Sequence, residues 1–128
     1  MTTEATPGRL RRALKKLSAT PDEIEADEIE EARDKVGGCQ SISGLQDRDL
    51  VSVFGHVKHV TLAPRAGTPT LEAALYDGSG VVTLVWLGRR TIAGVKPGAS
   101  IKASGRVSCH EGRRVIYNPR YELRADKI

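Results

Sequence analysis

Aromatic side chains are scarce in this 128-residue chain, which has one Phe, one Trp and three Tyr. A protein that grips its ligand mainly by stacking rings would have little to stack with, so charge and shape must carry more of any recognition. Cysteine is scarce too. Cys39 and Cys109 lie far apart with no CxxC spacing, and a reduced pair of small, partly buried residues is the ordinary reading. No stretch nears the roughly 20 apolar residues of a membrane span, and the N-terminus lacks a signal-peptide apolar core. A cytoplasmic protein with no membrane partner is expected. A P-loop, a glycine-rich phosphate cradle, a nucleophile elbow and a Ser/His/Asp set are all missing. Neither catalysis nor a cofactor is expected.

Charge is plentiful, and its distribution says more than the net +4. Residues 1–46 carry seven Lys/Arg and nine Asp/Glu, net −2, whereas residues 47–128 carry thirteen against seven, net +6. The second segment is therefore a basic surface suited to polyanions, although the same excess often serves only solubility. Composition and length fit one soluble domain with an extension. The expected division is a helical extension and linker over 1–46 and a β domain over 47–128.

Within the extension, residues 1–8 read as disordered. Residues 9–17 place Leu10, Leu14 and Leu17 on one face of a short basic amphipathic helix. Such a helix can touch phosphates, but more often it docks its leucines on the domain. A second helix is strongly punctuated: Thr20 as N-cap, Pro21 in the first turn, Glu23 completing a capping box, and Gly37 as the stop. Its apolar stripe of Ile24, Ile29, Ala32 and Val36 is thin. Residues 37–47 read as a flexible connection.

The β domain centres on residues 75–88, where two apolar runs flank Asp77-Gly78-Ser79-Gly80. Glycine supplies positive φ and Asp77 caps the turn with its own side chain, so this is a β-hairpin. Val81 to Leu87, which holds Trp86, is a strand buried on at least one face. A first strand from Leu50 alternates Val51, Val53, Gly55 and Val57 against Ser52, Phe54, His56 and Lys58, and Gly55 suggests a bend or bulge. Phe54, opposite the valines, would cover the other side beneath the N-terminal helices. A fourth strand over 99–110, a Glu111-Gly112 turn and a fifth strand over 113–123 complete the set. Residues 88–98 have room for a turn or two of helix at most. Pro119 must lie at an edge or bulge, since it cannot donate to a ladder. Five strands fit the mainly β, five-stranded OB barrel, and an SH3-like barrel would leave a similar trace.

The run from Val51 to Leu123 resembles a bacterial OB-fold nucleic-acid-binding domain of the type in the wedge of the RecG branched-DNA helicase. The resemblance is carried by Val51-x-Val53-x-Gly55-x-Val57, Leu75-x-Asp77-Gly78-x-Gly80 and Val82-x-Leu84-x-Trp86. Further support comes from Lys96-Pro97-Gly98, Ser104-Gly105-Arg106-Val107 and Asn118-Pro119-x-Tyr121-Glu122-Leu123. It implies a nucleic-acid partner, DNA ahead of RNA, and single-stranded or branched DNA in particular. No helicase motif accompanies it, so that enzyme's activity is not implied.

An OB domain binds across its second and third strands, between the first–second and fourth–fifth loops. The expected site residues are Lys58, Arg65, Tyr76, Thr83, Arg89, Arg90, Arg113 and Arg114. Arg106 and Arg120 are further cations able to track a phosphate backbone. For any one of them a solvated surface is the bland alternative. Tyr76 is the aromatic expected on the binding face, Trp86 belongs to the core, and Tyr117 and Tyr121 read as packing residues. His56 and His59 are three apart on a strand and would point to opposite faces, and Cys109 and His110 are adjacent, so no metal site is expected. The competing reading is a protein-interaction module that uses Ala74, Val81 and Val85, or the N-terminal helices.

Overall fold

The computed structural model describes residues 20–124; the stretch 1–8 and the helix expected over 9–17 lie outside the described residues. Helix α1 (Pro21–Val36) begins as its punctuation requires. Thr20 accepts from the Glu23 backbone N–H, the Glu23 carboxylate accepts in return from the Thr20 N–H, and the chain turns out at Gly37. Six strands follow: β1 (Leu50–Leu62), β2 (Thr70–Tyr76), β3 (Val81–Leu87), β4 (Ser100–His110), β5 (Arg113–Tyr117) and β6 (Arg120–Arg124).

Their order is β1-β2-β3-β5-β4-β6, and β1 also pairs with β4, so the first five strands close on themselves. All contacts are antiparallel except β3 with β5. This is the OB barrel, and its closure through a parallel β3–β5 pair sets aside the SH3-like alternative. The fifth strand expected over 113–123 is broken in two. Asn118 adopts φ 48° and Pro119 follows it, so β5 leaves β4 at Val107 and β6 rejoins it at Ser104. Between β3 and β4 there are turns and no helix.

The barrel interior is filled by Val51, Val53, Val57, Leu75, Val82, Leu84, Trp86, Ile101, Val107 and Ile116, all buried. Each such aliphatic contributes about 1.5–3 kcal/mol when removed from water. A smaller layer lies outside the barrel wall. Phe54, on the outer face of β1, and Ile29, the one buried residue of α1, are both fully buried and belong to no part of the interior cluster. Helix α1 packs on β1, which places the two in the same layer.

The connection expected to be flexible is strapped down instead. Gln40 exchanges hydrogen bonds with the Ser52 backbone, Ile42 enters the barrel core, and Asp47 accepts from the Cys109 N–H. The sequence cue, Gly and Ser enrichment, was correct about composition. What it could not show is the acceptor waiting for the segment. The carboxylate of Asp77 is fully buried and takes five hydrogen bonds. Oδ1 accepts from Ser79 N at 2.8 Å, Ser79 Oγ at 2.6 Å and Gly80 N at 3.1 Å. Oδ2 accepts from Arg33 Nη1 at 2.9 Å and from Ile42 N at 2.8 Å. The turn's capping residue is also the anchor of helix and linker. Gly78 (φ 93°) lies so close beneath α1 that a Cβ there would sit 2.6 Å from the Ala26 carbonyl oxygen.

Asp77→Ala strips the partner from a mostly buried arginine and from several buried N–H groups, and should cost about 3–5 kcal/mol in urea unfolding. Arg33→Ala leaves the carboxylate its four other donors and should cost less, about 1–3 kcal/mol. Equal losses from the two would show that the carboxylate's hydrogen bonds to the turn and linker contribute nothing.

Candidate nucleic-acid interface

Position on the candidate sheet face is decided by register. Antiparallel Cα partners share a face, so Tyr76 stands beside His56 and Val81, Ala74 beside His59 and Thr83, and Glu72 beside Thr61 and Val85. The parallel pairing adds Val115 next to Thr83 and Tyr117 next to Val85. The outer surface of β1, β2, β3 and β5 therefore forms one sheet face, with the β1–β2 loop at one end.

Strand β1 reaches this face through a bulge. Val57 opposes Leu75 and His59 opposes Ala74, leaving Lys58 as the extra residue. The bulge resets the alternation, so His56 and His59 lie on the same face, not on opposite faces as a regular strand would place them. Gly55 allows β1 to bend there, because a Cβ would strike the Tyr76 carbonyl oxygen. Among the described residues no group of three or more His, Cys, Asp and Glu is placed to hold a metal ion.

The expected cations are largely engaged within the protein. Lys58 Nζ lies 2.8 Å from both carboxylate oxygens of Glu25 on α1 and 5.1 Å from the centre of the Tyr76 ring. Arg65, on the β1–β2 loop, pairs with Glu72 at 2.9 Å, and Arg113 reaches the other oxygen of the same carboxylate at 3.5 Å. The hydrogen bond to Glu72 raises the Arg65 pKa, with a smaller contribution from Tyr117. Arg114 turns away from its neighbour and donates to the Val81 carbonyl at 3.5 Å, beside the hairpin turn. Thr83 sits in the middle of the face, half-buried. Arg89 and Arg90 are exposed just after β3, where Gly88 N–H bonds the Pro69 carbonyl of the β1–β2 loop. They pair with no carboxylate among the described residues.

The aromatic expectations shift. Tyr76 is half-buried and its pKa is raised, first by burial and then by the Glu25 charge. Tyr117, expected to pack, is 47% exposed on the same face. Trp86 is in the core, with Tyr121 edge-on to it at 5.6 Å. Ala74 and Val85 are buried, so of the apolar trio that a protein partner would have used, only Val81 is open. Periodicity had found the face. It could not find Glu25 or Glu72 as the partners of its cations, because both pairings depend on tertiary placement.

No family model and no curated protein matches this sequence. Among solved structures it is similar to RecG bound to a three-way DNA junction, with TM-score 0.56 and 19% identity over 97% of this chain and 18% of that one. It is also similar to the OB domain of a Methanosarcina mazei protein, with TM-score 0.55 and 13% identity over 70% of this chain and 85% of that one. A HINb domain gives TM-score 0.55 and 16% identity over 67% of this chain and 47% of that one, so the chain spans about half of it. The likeness fixes the fold as an OB fold, of the type in the RecG wedge domain. The RecG match reaches beyond the barrel. No helix among the described residues is long and apolar enough to cross a membrane.

Burial holds the His56 pKa below its ordinary value, opposed in part by Glu25. A group whose folded pKa is depressed binds protons better in the unfolded chain, so stability should fall as pH drops below about 6.5. His56→Gln should flatten the stability profile between about pH 7.5 and 5.5. A profile unchanged by the substitution would assign that slope elsewhere.

Proposed function

We propose that this OB domain is a nucleic-acid-binding module without catalysis, taking single-stranded or branched DNA across the β2–β3 face and its basic loops. The observation that carries the reading is the gathering of Arg65, Arg89 and Arg90 at the β1–β2 loop end of that face, where Arg113 reaches along the face to the same Glu72 carboxylate as Arg65, next to the exposed Tyr117 ring. Cations beside a π surface suit a strand that offers phosphates and bases together. The likeness to RecG, whose structure is that of the protein on a three-way DNA junction, supports DNA as the partner. Grip would be mainly electrostatic, since the Tyr76 ring already lies under Lys58.

The acidic helix enters this account as a competitor. Glu25 occupies Lys58, and that exposed pair is worth only about 0–1 kcal/mol, weak enough for a phosphate to displace. Deleting the extension would be a poor test, because Arg33 and Ile42 are built into the fold. Glu25→Gln isolates the charge.

Fluorescence anisotropy with single-stranded DNA, RNA and duplex at two salt concentrations tests the reading. Three to five phosphate contacts on a single strand give a log–log salt slope of roughly −2 to −3.5. Arg65→Ala and Arg113→Ala should each flatten it by somewhat less than one unit, alike for all sequences. Glu72→Gln and Glu25→Gln, which release arginines and lysine from internal carboxylates, should each tighten binding by about two- to fivefold at low salt. No binding by any of the three ligands would sink the proposal. Tightest binding to RNA would move the partner from DNA to RNA.

A further inference from the structure

A groove of about 580 Å³ opens between the start of β1, the middle of β4 and the β5–β6 break. Leu50, Ser104, Arg106, Tyr117, Asn118 and Arg120 line it, and none of its lining residues is acidic. Its position follows from the sequence: Asn118-Pro119 turns β5 away from β4, and Gly105 sits beneath the gap with only Ile116 and Pro119 close by.

The cations here differ from those of the β2–β3 face. Arg106 is exposed and donates to the Arg48 carbonyl, a neutral acceptor. Arg120 is exposed, and the nearby Glu122 is taken by Arg124 at 2.8 Å. Neither Arg106 nor Arg120 has a carboxylate partner among the described residues. Leu50 is 69% exposed and Tyr117 is 47% exposed, so an open apolar wall accompanies the two free charges. Tyr117 also belongs to the β2–β3 face beside Val85, which makes the groove continuous with that face around β5.

We infer that the groove receives a phosphate-bearing segment of a single strand, which leaves the β2–β3 face at Tyr117 and wraps β5 to reach Arg106 and Arg120. This rests on the nucleic-acid reading above and extends it by giving the strand a path. The path runs away from the end of the face held by Glu25 and toward the cations that no carboxylate neutralises. The volume suits one nucleotide unit, the guanidinium groups suit its phosphates, and Tyr117 and Leu50 suit its base and sugar.

The test is anisotropy with labelled single-stranded DNA, comparing wild type with Arg106→Ala/Arg120→Ala and Arg106→Lys/Arg120→Lys double variants. Thermal unfolding of each variant checks the fold. The alanine pair should weaken binding and flatten the log–log salt slope by about 1.4, two phosphates at about 0.7 each. The lysine pair, which keeps both charges, should retain the wild-type slope. Tyr117→Ala should weaken binding by about 5- to 150-fold with the slope unchanged. Binding by wild type that the alanine pair leaves unaltered overturns the groove and leaves the β2–β3 face standing. Equal losses from the lysine and alanine pairs would also overturn it, since charge would then not be what the ligand reads. A wild type that binds no strand at all removes both proposals.

Discussion

The buried Asp77 carboxylate fixes more of this molecule than any other single group. A carboxylate taken out of water is costly unless nearly every lone pair finds a donor. This one finds five, from the hairpin turn, the linker and helix α1. Their geometry is demanding, because each donor must arrive from a different direction. The linker must bring its Ile42 N–H in, so Ile42 drops its side chain into the core. The helix brings Arg33 in, packs on β1 and sets its Glu25 beside Lys58. Gly78 then has no space for a side chain under the Ala26 carbonyl. One desolvated charge thereby helps to set Glu25 of the helix beside Lys58.

Charge counted along a sequence differs from charge available to a ligand. The β segment has an excess of six positive charges, yet Glu72 alone serves two arginines and Glu25 serves Lys58. These pairs are partly exposed and screened, so they lower the field without abolishing it. Arg89 and Arg90 after β3, Arg106 and Arg120 beside the groove, and Arg114, Lys96 and Lys102 pair with no carboxylate among the described residues. Two of these, Arg106 and Arg120, line the groove round β5, so uncommitted charge is not confined to the β2–β3 face.

Much of the fold was legible because its signals are local. The capping box from Thr20 to Glu23, the four-residue turn at Asp77 and the Glu111-Gly112 turn each need only neighbours in sequence. The valine alternation of β1 and the burial of Trp86 follow from period alone. The break at Asn118-Pro119 was half legible: proline forbade a ladder bond, but only the closed barrel shows that the strand divides there. The bulge at Lys58 is not legible for a similar reason. Gly55 marked a bend, whereas the extra residue three positions later depends on how β2 meets β1, and it moved His59 to the other face. The site was less legible than the fold. Side-chain alternation places Tyr76 and Thr83 on one sheet face, as the register does, but the occupancy of Lys58, Arg65 and Arg113 is set by acids 33, 7 and 41 residues away in sequence.

These features give the barrel surface a direction. At the α1 end, Tyr76 is screened by a lysine, and that lysine by a glutamate, so an approaching phosphate must first break an ion pair. At the β1–β2 loop end, Tyr117 is open and unpaired arginines lie on two sides of it. A polyanion gains most where desolvation of existing pairs is least, since there it exchanges only water and counterions for protein contacts. Glu25's share of the asymmetry comes from the acidic helix, which the Arg33–Asp77 ion pair ties to the hairpin turn, whereas Glu72's share is built into β2.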